Sequence, residues 1–270
     1  MSRIEASFQT LRKSGRRGFV PFVSAGDPNL ATSKEIVLAL AQNGADIIEL
    51  GVPFTDPMAD GPTIQASSQR ALNNGTTLAD ILQMVRDLRR EIETPIVLFS
   101  YLNPLYRYGF EKLAADAADA GVDGVLVTDA VDEAAFVISS VLDGHSLDLI
   151  SLVAPTTSDE RLERIAANGT GFIYAVSRSG VTGAQAESSS SAENLVRRVR
   201  KFTGLPVAVG FGISTRQQVE DVWKYADAAV VGSAIVAEVE RSLAEGNTVE
   251  RVTGFVRGLL PTVANLATEI

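Results

Sequence analysis

The sequence predicts an α/β fold in which eight parallel strands close into a barrel and helices surround them. Short apolar runs alternate with amphipathic helical stretches along all 270 residues. The runs are almost continuously hydrophobic, which is typical of parallel strands that are covered on both faces. Strands that alternate with helices form a parallel sheet, and eight such units close into a (β/α)8 TIM barrel.

The predicted strands recur every ~25 to 35 residues, close to the length of a strand–helix–strand unit. They are Phe19–Val23, Asp46–Leu50, Pro95–Ser100, Gly124–Thr128, Leu147–Val153, Gly171–Ala175, Pro206–Val209 and Ala228–Val231. The predicted helices include Thr32–Gln42, Leu78–Glu91, Glu111–Ala120, Glu133–Leu142, Asp159–Ala167, Ala192–Phe202 and Thr215–Lys224. Thr32 and Ser158 are predicted to cap two of these helices, because each precedes acidic residues in the first turn.

Two additions to the minimal barrel are predicted. An extra helix precedes the first strand, and an inserted loop and short helix lie between Gly51 and Gly75, where the connection after strand two is longest. No Pro- or Ser-rich segment divides the chain, so residues 1–270 are predicted to form a single TIM-barrel domain. A flat doubly wound sheet is the alternative, although it seldom needs eight units without a linker.

Composition excludes several classes of function. Lys and Arg number 24 against 33 Asp and Glu, which gives a net charge of −9 and argues against a nucleic-acid or anionic-membrane partner. No run reaches the roughly 18 apolar residues of a membrane span. Cysteine is absent, so there is no thiolate metal site, and a reducing cytoplasm is the expected location. A phosphate ester remains possible, because backbone N–H groups bind phosphate without net positive charge.

The segment Ala45–Gln65 carries the strongest catalytic signal. It places Glu49 at the carboxyl end of strand two and two further carboxylates, Asp56 and Asp60, on the following loop. Catalytic residues of barrels lie at this end. Two carboxylates that share a pocket can divide acid and base roles when their surroundings separate their pKa values. Spacing alone leaves a second interpretation open, an N-cap aspartate on a solvated loop.

A phosphate site is predicted after strands seven and eight. Gly210–Ser214 and Gly232–Ala234 are glycine turns that lead into helices, where free N–H groups and the helix dipole attract an anion. Barrels repeatedly bind phosphate at these two loops. The long connection after strand six, 177–184, is predicted to be a lid that closes over the substrate. Turn geometry alone and a surface loop without a role are the respective alternatives.

These residues resemble the tryptophan synthase alpha subunit family in order and over nearly the whole chain. The matching segments are Phe22–Pro28, Glu49–Phe54, Asp60–Pro62, Tyr101–Pro104, Ser177–Gly183 and Gly210–Ser214. The resemblance implies a TIM barrel that cleaves indole-3-glycerol phosphate into indole and D-glyceraldehyde 3-phosphate, without metal or organic cofactor. It also implies a beta subunit that carries pyridoxal phosphate, receives the indole and joins an alpha2-beta2 heterotetramer.

Carried over position by position, the resemblance makes Glu49 and Asp60 the catalytic pair. It places the other substrate-binding residues at Phe22, Phe99, Leu126, Leu152, Tyr174, Thr182, Gly183, Gly210, Phe211, Gly212, Ile213, Ser214, Gly232 and Ser233. It assigns the partner interface to Asp56, Pro57, Asn103 and Pro104.

Two departures and two rival functions accompany the resemblance. The family usually has a proline-rich turn where this chain reads Ala130–Glu133, which weakens the expectation of a partner contact there. Phe99 occupies a position that is often leucine. The rival functions are an indole-3-glycerol-phosphate lyase that acts without a beta subunit, and another phosphate-binding barrel isomerase or aldolase. A barrel that only regulates a partner is disfavoured by the two carboxylates and the glycine turns.

Overall fold

The computed structural model describes residues 1–130, 132–176, 185–210 and 212–261. Eight parallel strands close into a barrel in sequential order, which confirms the predicted fold class. The strands are β1 (Gly18–Ser24), β2 (Ile48–Gly51), β3 (Ile96–Ser100), β4 (Gly124–Val127), β5 (Asp148–Val153), β6 (Ile173–Val176), β7 (Val207–Gly210) and β8 (Ala228–Val231). Each lies within two residues of its predicted bounds.

Helices surround the barrel, and both predicted additions are confirmed. The helices are α1 (Arg3–Lys13), α2 (Leu30–Gln42), α3 (Pro62–Asn73), α4 (Leu78–Leu88), α5 (Leu102–Tyr108), α6 (Phe110–Ala120), α7 (Asp132–Asp143), α8 (Asp159–Asn168), α9 (Gln185–Val199), α10 (Arg216–Trp223), α11 (Ser233–Ser242) and α12 (Thr248–Leu259). Helix α1 is the extra N-terminal helix, and α3 is the helix inserted after β2.

The two predicted helix caps have different outcomes. Ser158 caps α8 as predicted, since its side chain accepts a hydrogen bond from the Arg161 N–H. The prediction for Thr32 is wrong, because α2 starts at Leu30 and the side chain of Asn29 accepts the hydrogen bond of the Thr32 N–H. Asn is at least as good an N-cap as Thr, and the earlier start packs Leu30 against the core.

The core has two layers, one inside the barrel and one between the strands and the helices. Helix α1 closes the amino end of the barrel with Ile4, Phe8 and Leu11, and the Phe8 ring lies 5.7 Å from the Phe172 ring. With that end filled, the open space lies at the carboxyl end. No helix in the described ranges is long and apolar enough to span a membrane.

Candidate active site

A cavity of about 260 Å³ opens at the carboxyl end of the barrel. It is lined by Phe22, Glu49, Asp60, Gly61, Pro62, Thr63, Ile64, Phe99, Tyr174, Gly212, Val230, Gly232 and Ser233. The structure therefore brings the two predicted catalytic carboxylates to one cavity, together with the predicted aromatic residues and glycine turns. This convergence removes the interpretation in which Asp60 belongs only to a solvated loop.

Glu49 projects into the barrel from β2, in register with Phe22 of β1 and Val97 of β3. Its side chain is fully buried, and neither carboxyl oxygen has a hydrogen-bond partner among the described residues. Burial raises the pKa of Glu49 to about 8. A carboxyl group that is buried without a partner is costly, and such groups concentrate at functional sites. Glu49 is therefore protonated at neutral pH and faces an open cavity.

Asp60 lies on the loop between β2 and α3, at the mouth of the cavity. Burial raises its pKa to about 6, and a hydrogen bond from Tyr101 opposes that rise. Between pH 6 and 8 the site therefore holds an ionised aspartate and a protonated glutamic acid. This is the division of states that an acid–base pair requires.

Three aromatic rings border the cavity beside the two carboxyl groups. The Phe22 and Phe99 rings pack edge to face at 5.3 Å, and Phe99 packs against Tyr174 at 6.2 Å. Burial and then the carboxylates of Glu49 and Asp60 raise the pKa of Tyr174, so its hydroxyl stays protonated. Because Glu49 has no hydrogen-bond partner in the described ranges, Tyr174 borders the cavity without a hydrogen bond to Glu49.

Leu126 and Leu152, two further predicted pocket residues, lie slightly apart from the cavity. Both pack into the cluster inside the barrel with Phe99 and Tyr174, and the described cavity wall does not include them. They support the aromatic wall from behind. Phe99 extends the aromatic surface toward Phe22.

The two glycine turns differ in their free N–H groups. Gly232 is the N-cap of α11, and no side chain in the described ranges caps this helix, so its first N–H groups face the cavity. In contrast, Thr215 and Gln218 form a capping box on α10, and the Gln218 side chain also accepts the Ser214 N–H at 2.8 Å. An uncapped helix N-terminus is a ready anion site. The geometry therefore favours the N-terminus of α11 over that of α10 as an anion site.

The remaining residues of the seventh-strand turn have separate positions. Gly212, with a φ of +73°, also lines the cavity, and its turn follows β7, the strand that pairs with β8. Gly210 packs under Tyr174, since a Cβ there would lie 2.1 Å from the Tyr174 hydroxyl oxygen. The Ile213 side chain is buried in the outer core. Thr182, Gly183 and Phe211 and the predicted lid, 177–184, lie outside the described residues.

Sequence reasoning missed two parts of the cavity wall. Gly61, Pro62, Thr63 and Ile64 form the start of α3 and border the cavity. Their position could have been predicted from Asp60. Helix α3 begins directly after this cavity residue, so its first residues must lie at the mouth of the cavity. Val230 also lines the cavity, and strand alternation with Gly232 predicts its inward direction.

The four predicted partner contacts lie on one surface. Asp56 and Pro57 follow β2, and Asn103 and Pro104 follow the adjacent strand β3. Asp56 and Asn103 are exposed. Two large apolar side chains beside them are also exposed, Met58 at 85% and Tyr106 at 70%, which is typical of a protein-interaction surface. In the turn Ala130–Glu133, Ala130 lies shortly after β4, and Val131 is outside the described residues.

Comparisons with known proteins decide the family. The family model described as tryptophan synthase alpha chain matches residues 8–260. The chain belongs to the tryptophan synthase alpha chain family. It is 49% identical to the tryptophan synthase alpha chain of Acidiphilium cryptum, covering 100% of this chain and 98% of that one. It is 50% identical to that of Citrifermentans bemidjiense, over 96% and 97% of the two chains.

Solved structures of the tryptophan synthase alpha family share this fold. The alpha chain of Legionella pneumophila subsp. pneumophila superimposes with a TM-score of 0.90 at 31% identity, covering 99% of both chains. A chain of M. tuberculosis tryptophan synthase in an aminoacrylate-bound form gives 0.86 at 32% identity, covering 96% of this chain and 98% of that one. The barrel and its site thus lie within a tryptophan biosynthesis family.

Proposed function

We propose that this chain cleaves indole-3-glycerol phosphate to indole and D-glyceraldehyde 3-phosphate by a retro-aldol reaction. The observation that carries the proposal is the unpartnered, protonated Glu49 in one cavity with the more acidic Asp60. The reaction requires a proton donor at one ring carbon and a negative charge near the ring nitrogen. The protonated Glu49 supplies the proton, and the ionised Asp60 supplies the negative charge.

The first step protonates the indole ring. Glu49 donates its proton to C3, and the positive charge that results moves toward N1. The ionised Asp60 lies beside N1–H and stabilises this charge. General acid catalysis of this kind typically accelerates a step ~10²–10⁴-fold.

The second step breaks the carbon–carbon bond. Glu49, now a carboxylate, removes the proton of the carbinol hydroxyl, the carbinol carbon becomes the aldehyde, and the electrons of the broken bond neutralise the ring. Glu49 is thereby protonated again, so one proton enters and one leaves. The apolar rings of Phe22 and Phe99 hold the indole between the two carboxyl groups.

The phosphate of the substrate would lie against the N-terminus of α11. Gly232 and Ser233 border the cavity there, and Gly212 lets the backbone approach from the adjacent turn after β7. A substrate anchored at its phosphate and its ring presents the bond between them to Glu49. Such anchoring converts binding energy into orientation at the reacting carbon.

A beta subunit is the proposed partner. The exposed surface formed by the loops after β2 and β3 supports this proposal, and an alpha2-beta2 heterotetramer in a cytoplasmic location remains a prediction. We expect no metal or organic cofactor in this chain, because both proton transfers use its own carboxyl groups, and pyridoxal phosphate belongs to the partner.

Indole release from indole-3-glycerol phosphate by the purified chain tests the activity. Turnover of small sugar phosphates in its place would identify another isomerase or aldolase. A titration with beta subunit separates the remaining rival. Strong activation identifies a partner-dependent subunit, whereas a high rate that added beta subunit leaves unchanged identifies an independent lyase.

A further inference from the structure

Tyr101 is a buried side chain next to the catalytic loop that the proposed mechanism does not use. It follows β3 directly and is the N-cap residue of α5. Its side chain is buried at 3% exposure, and its ring packs against the Phe54 ring at 5.3 Å. The ring is thus fixed between β3 and the loop that connects β2 to α3.

The hydroxyl of Tyr101 contacts that loop at two adjacent residues. It accepts a hydrogen bond from the Ala59 N–H at 2.9 Å. The same hydroxyl lies beside the Asp60 carboxyl, and its interaction with that side chain lowers the pKa of Asp60 against the effect of burial. A hydroxyl that accepts from the backbone and donates to the next side chain fixes both the position and the direction of that side chain.

We propose that Tyr101 is a positioning residue that fixes the Asp60 loop and hydrogen-bonds the Asp60 carboxylate in the direction of the substrate ring. The assignment rests on the proposed function for its catalytic meaning, since Asp60 must face N1–H of the indole. Tyr101 itself does not line the described cavity wall, so it acts through Asp60 and not on the substrate.

The surroundings of Asp60 explain why one hydroxyl matters. Glu49 of β2 and Tyr174 of β6 share the cavity with Asp60, and Asp129 after β4 lies near the far side of Tyr101. None of these groups is cationic, and the described cavity wall contains no Lys, Arg or His side chain. Among these neighbours, Tyr101 is the one whose interaction lowers the pKa of Asp60 against the effect of burial.

The test compares Tyr101→Phe with Tyr108→Phe in the full-length chain. Tyr101→Phe keeps the ring that packs on Phe54 and removes only the hydroxyl. Tyr108 provides a matched control, because its hydroxyl donates to a different aspartate, Asp116, at 2.6 Å. Both variants lose one tyrosine-to-aspartate hydrogen bond, so a general cost of losing such a bond appears in both.

The activity of Tyr101→Phe is expected to depend on pH in a specific way. Without the donor, the pKa of Asp60 rises, so the acid limb of kcat/KM moves up by about one pH unit. The basic limb, set by Glu49, stays in place. We expect kcat to fall about tenfold at pH 6 and about threefold at pH 8, with KM within about twofold, and Tyr108→Phe to match the wild type.

A second readout does not depend on catalysis. Carbon-13 NMR of labelled aspartate carboxyl groups, with Asp60→Asn to assign the signal, gives the titration midpoint of Asp60 directly. A higher midpoint in Tyr101→Phe supports the proposal. Coincident midpoints in wild type and variant overturn it. Failure of the wild-type chain to release indole would refute the proposed function instead, and the NMR titration would still decide the role of Tyr101.

Discussion

Three aspartates at the amino end of the barrel differ in their surroundings from the two carboxyl groups that line the cavity at the carboxyl end. At the amino end, three aspartates each accept the N–H of an adjacent strand at 2.7–2.9 Å and also contact an arginine. The pairs are Asp46 with Phe19, Asp123 with Ile96, and Asp227 with Val207. At the carboxyl end, neither Glu49 nor Asp60 has a cationic partner in the described part of the chain.

The difference shows which end maintains the fold and which end is prepared for chemistry. A carboxylate that accepts hydrogen bonds from N–H and guanidinium groups stabilises the ends of the strands. The same bonds keep it ionised, so it does not take up or give a proton in a reaction. A carboxyl group without partners costs stability, and its proton can be given to a substrate. The first predictions compare the two ends directly, beginning with the largest effect.

Glu49→Gln should abolish most activity. The amide cannot donate or accept the transferred proton, so we expect kcat to fall about 10³-fold, within the usual range for a general acid–base group. Steady-state indole release measures this loss. Retention of near-normal indole formation would remove Glu49 from the mechanism.

The same substitution should change stability with pH. The pKa of Glu49 is about 8 in the folded chain against an ordinary value of 4.5. Between these values the unfolded chain has released a proton that the folded chain retains, so the free energy of unfolding falls as pH rises through this window. Glu49→Gln removes the fall, which amounts to about 4 kcal/mol.

Urea unfolding of wild type and Glu49→Gln at pH 5 and pH 8.5 measures this effect. The variant should gain relative to the wild type only at the higher pH. Parallel curves at both pH values would mean that Glu49 ionises without a cost, contrary to its burial.

Asp123→Ala tests the amino end and should have the reverse effect. Asp123 is 5% exposed, binds Arg89 and accepts the Ile96 N–H at 2.7 Å. Its loss removes the carboxylate that neutralises a mostly buried guanidinium and leaves a strand N–H without an acceptor, so we expect stability to fall by about 3 kcal/mol. Below the unfolding transition, kcat and KM should stay within about twofold of wild type. A large change in kcat would show that the two ends are coupled.

The sequence determines the fold more completely than the site. Continuous apolar runs at βαβ spacing predict all eight strands, because each run must be buried on both faces wherever it lies. Helix starts are less certain, as Asn29 shows, since neighbouring polar residues compete to cap one helix. The bounds of α2 therefore depend on packing of Leu30, which no local pattern contains.

Some site properties are invisible in the sequence. The position of Glu49 follows from its strand, but the absence of a partner for it in the described ranges depends on every side chain around it. The two glycine turns look equivalent in sequence. In the structure, the Gln218 side chain accepts N–H groups at the start of α10, whereas no side chain in the described ranges caps α11.

Gly210→Ala should damage the carboxyl end by about 2 kcal/mol, the usual cost of overpacking. The new Cβ would lie 2.1 Å from the Tyr174 hydroxyl oxygen and 3.1 Å from Val230, so the Tyr174 ring must shift into the cavity. Combining it with Tyr174→Phe removes the clashing oxygen but leaves the ring carbon Cζ 2.7 Å from the new Cβ, so only part of the activity should return. If the double variant loses as much activity as the sum of the losses in Gly210→Ala and Tyr174→Phe, the contact between the new Cβ and Tyr174 is not the cause of the loss.

The smallest predicted effect distinguishes the two helix N-termini. Ser233→Asp adds a negative charge at the start of α11, where it repels the substrate phosphate. We therefore expect KM to rise about tenfold with little loss of kcat. The helix dipole should stabilise the folded variant by a few tenths of a kcal/mol. Ser214→Asp places the same charge just before α10, where the Gln218 side chain already accepts the N–H groups of Ser214 and Thr215. In this variant KM should change less than about twofold. If Ser214→Asp raises KM more than Ser233→Asp, the phosphate binds at the capped helix, and the free N–H groups of α11 are not its site.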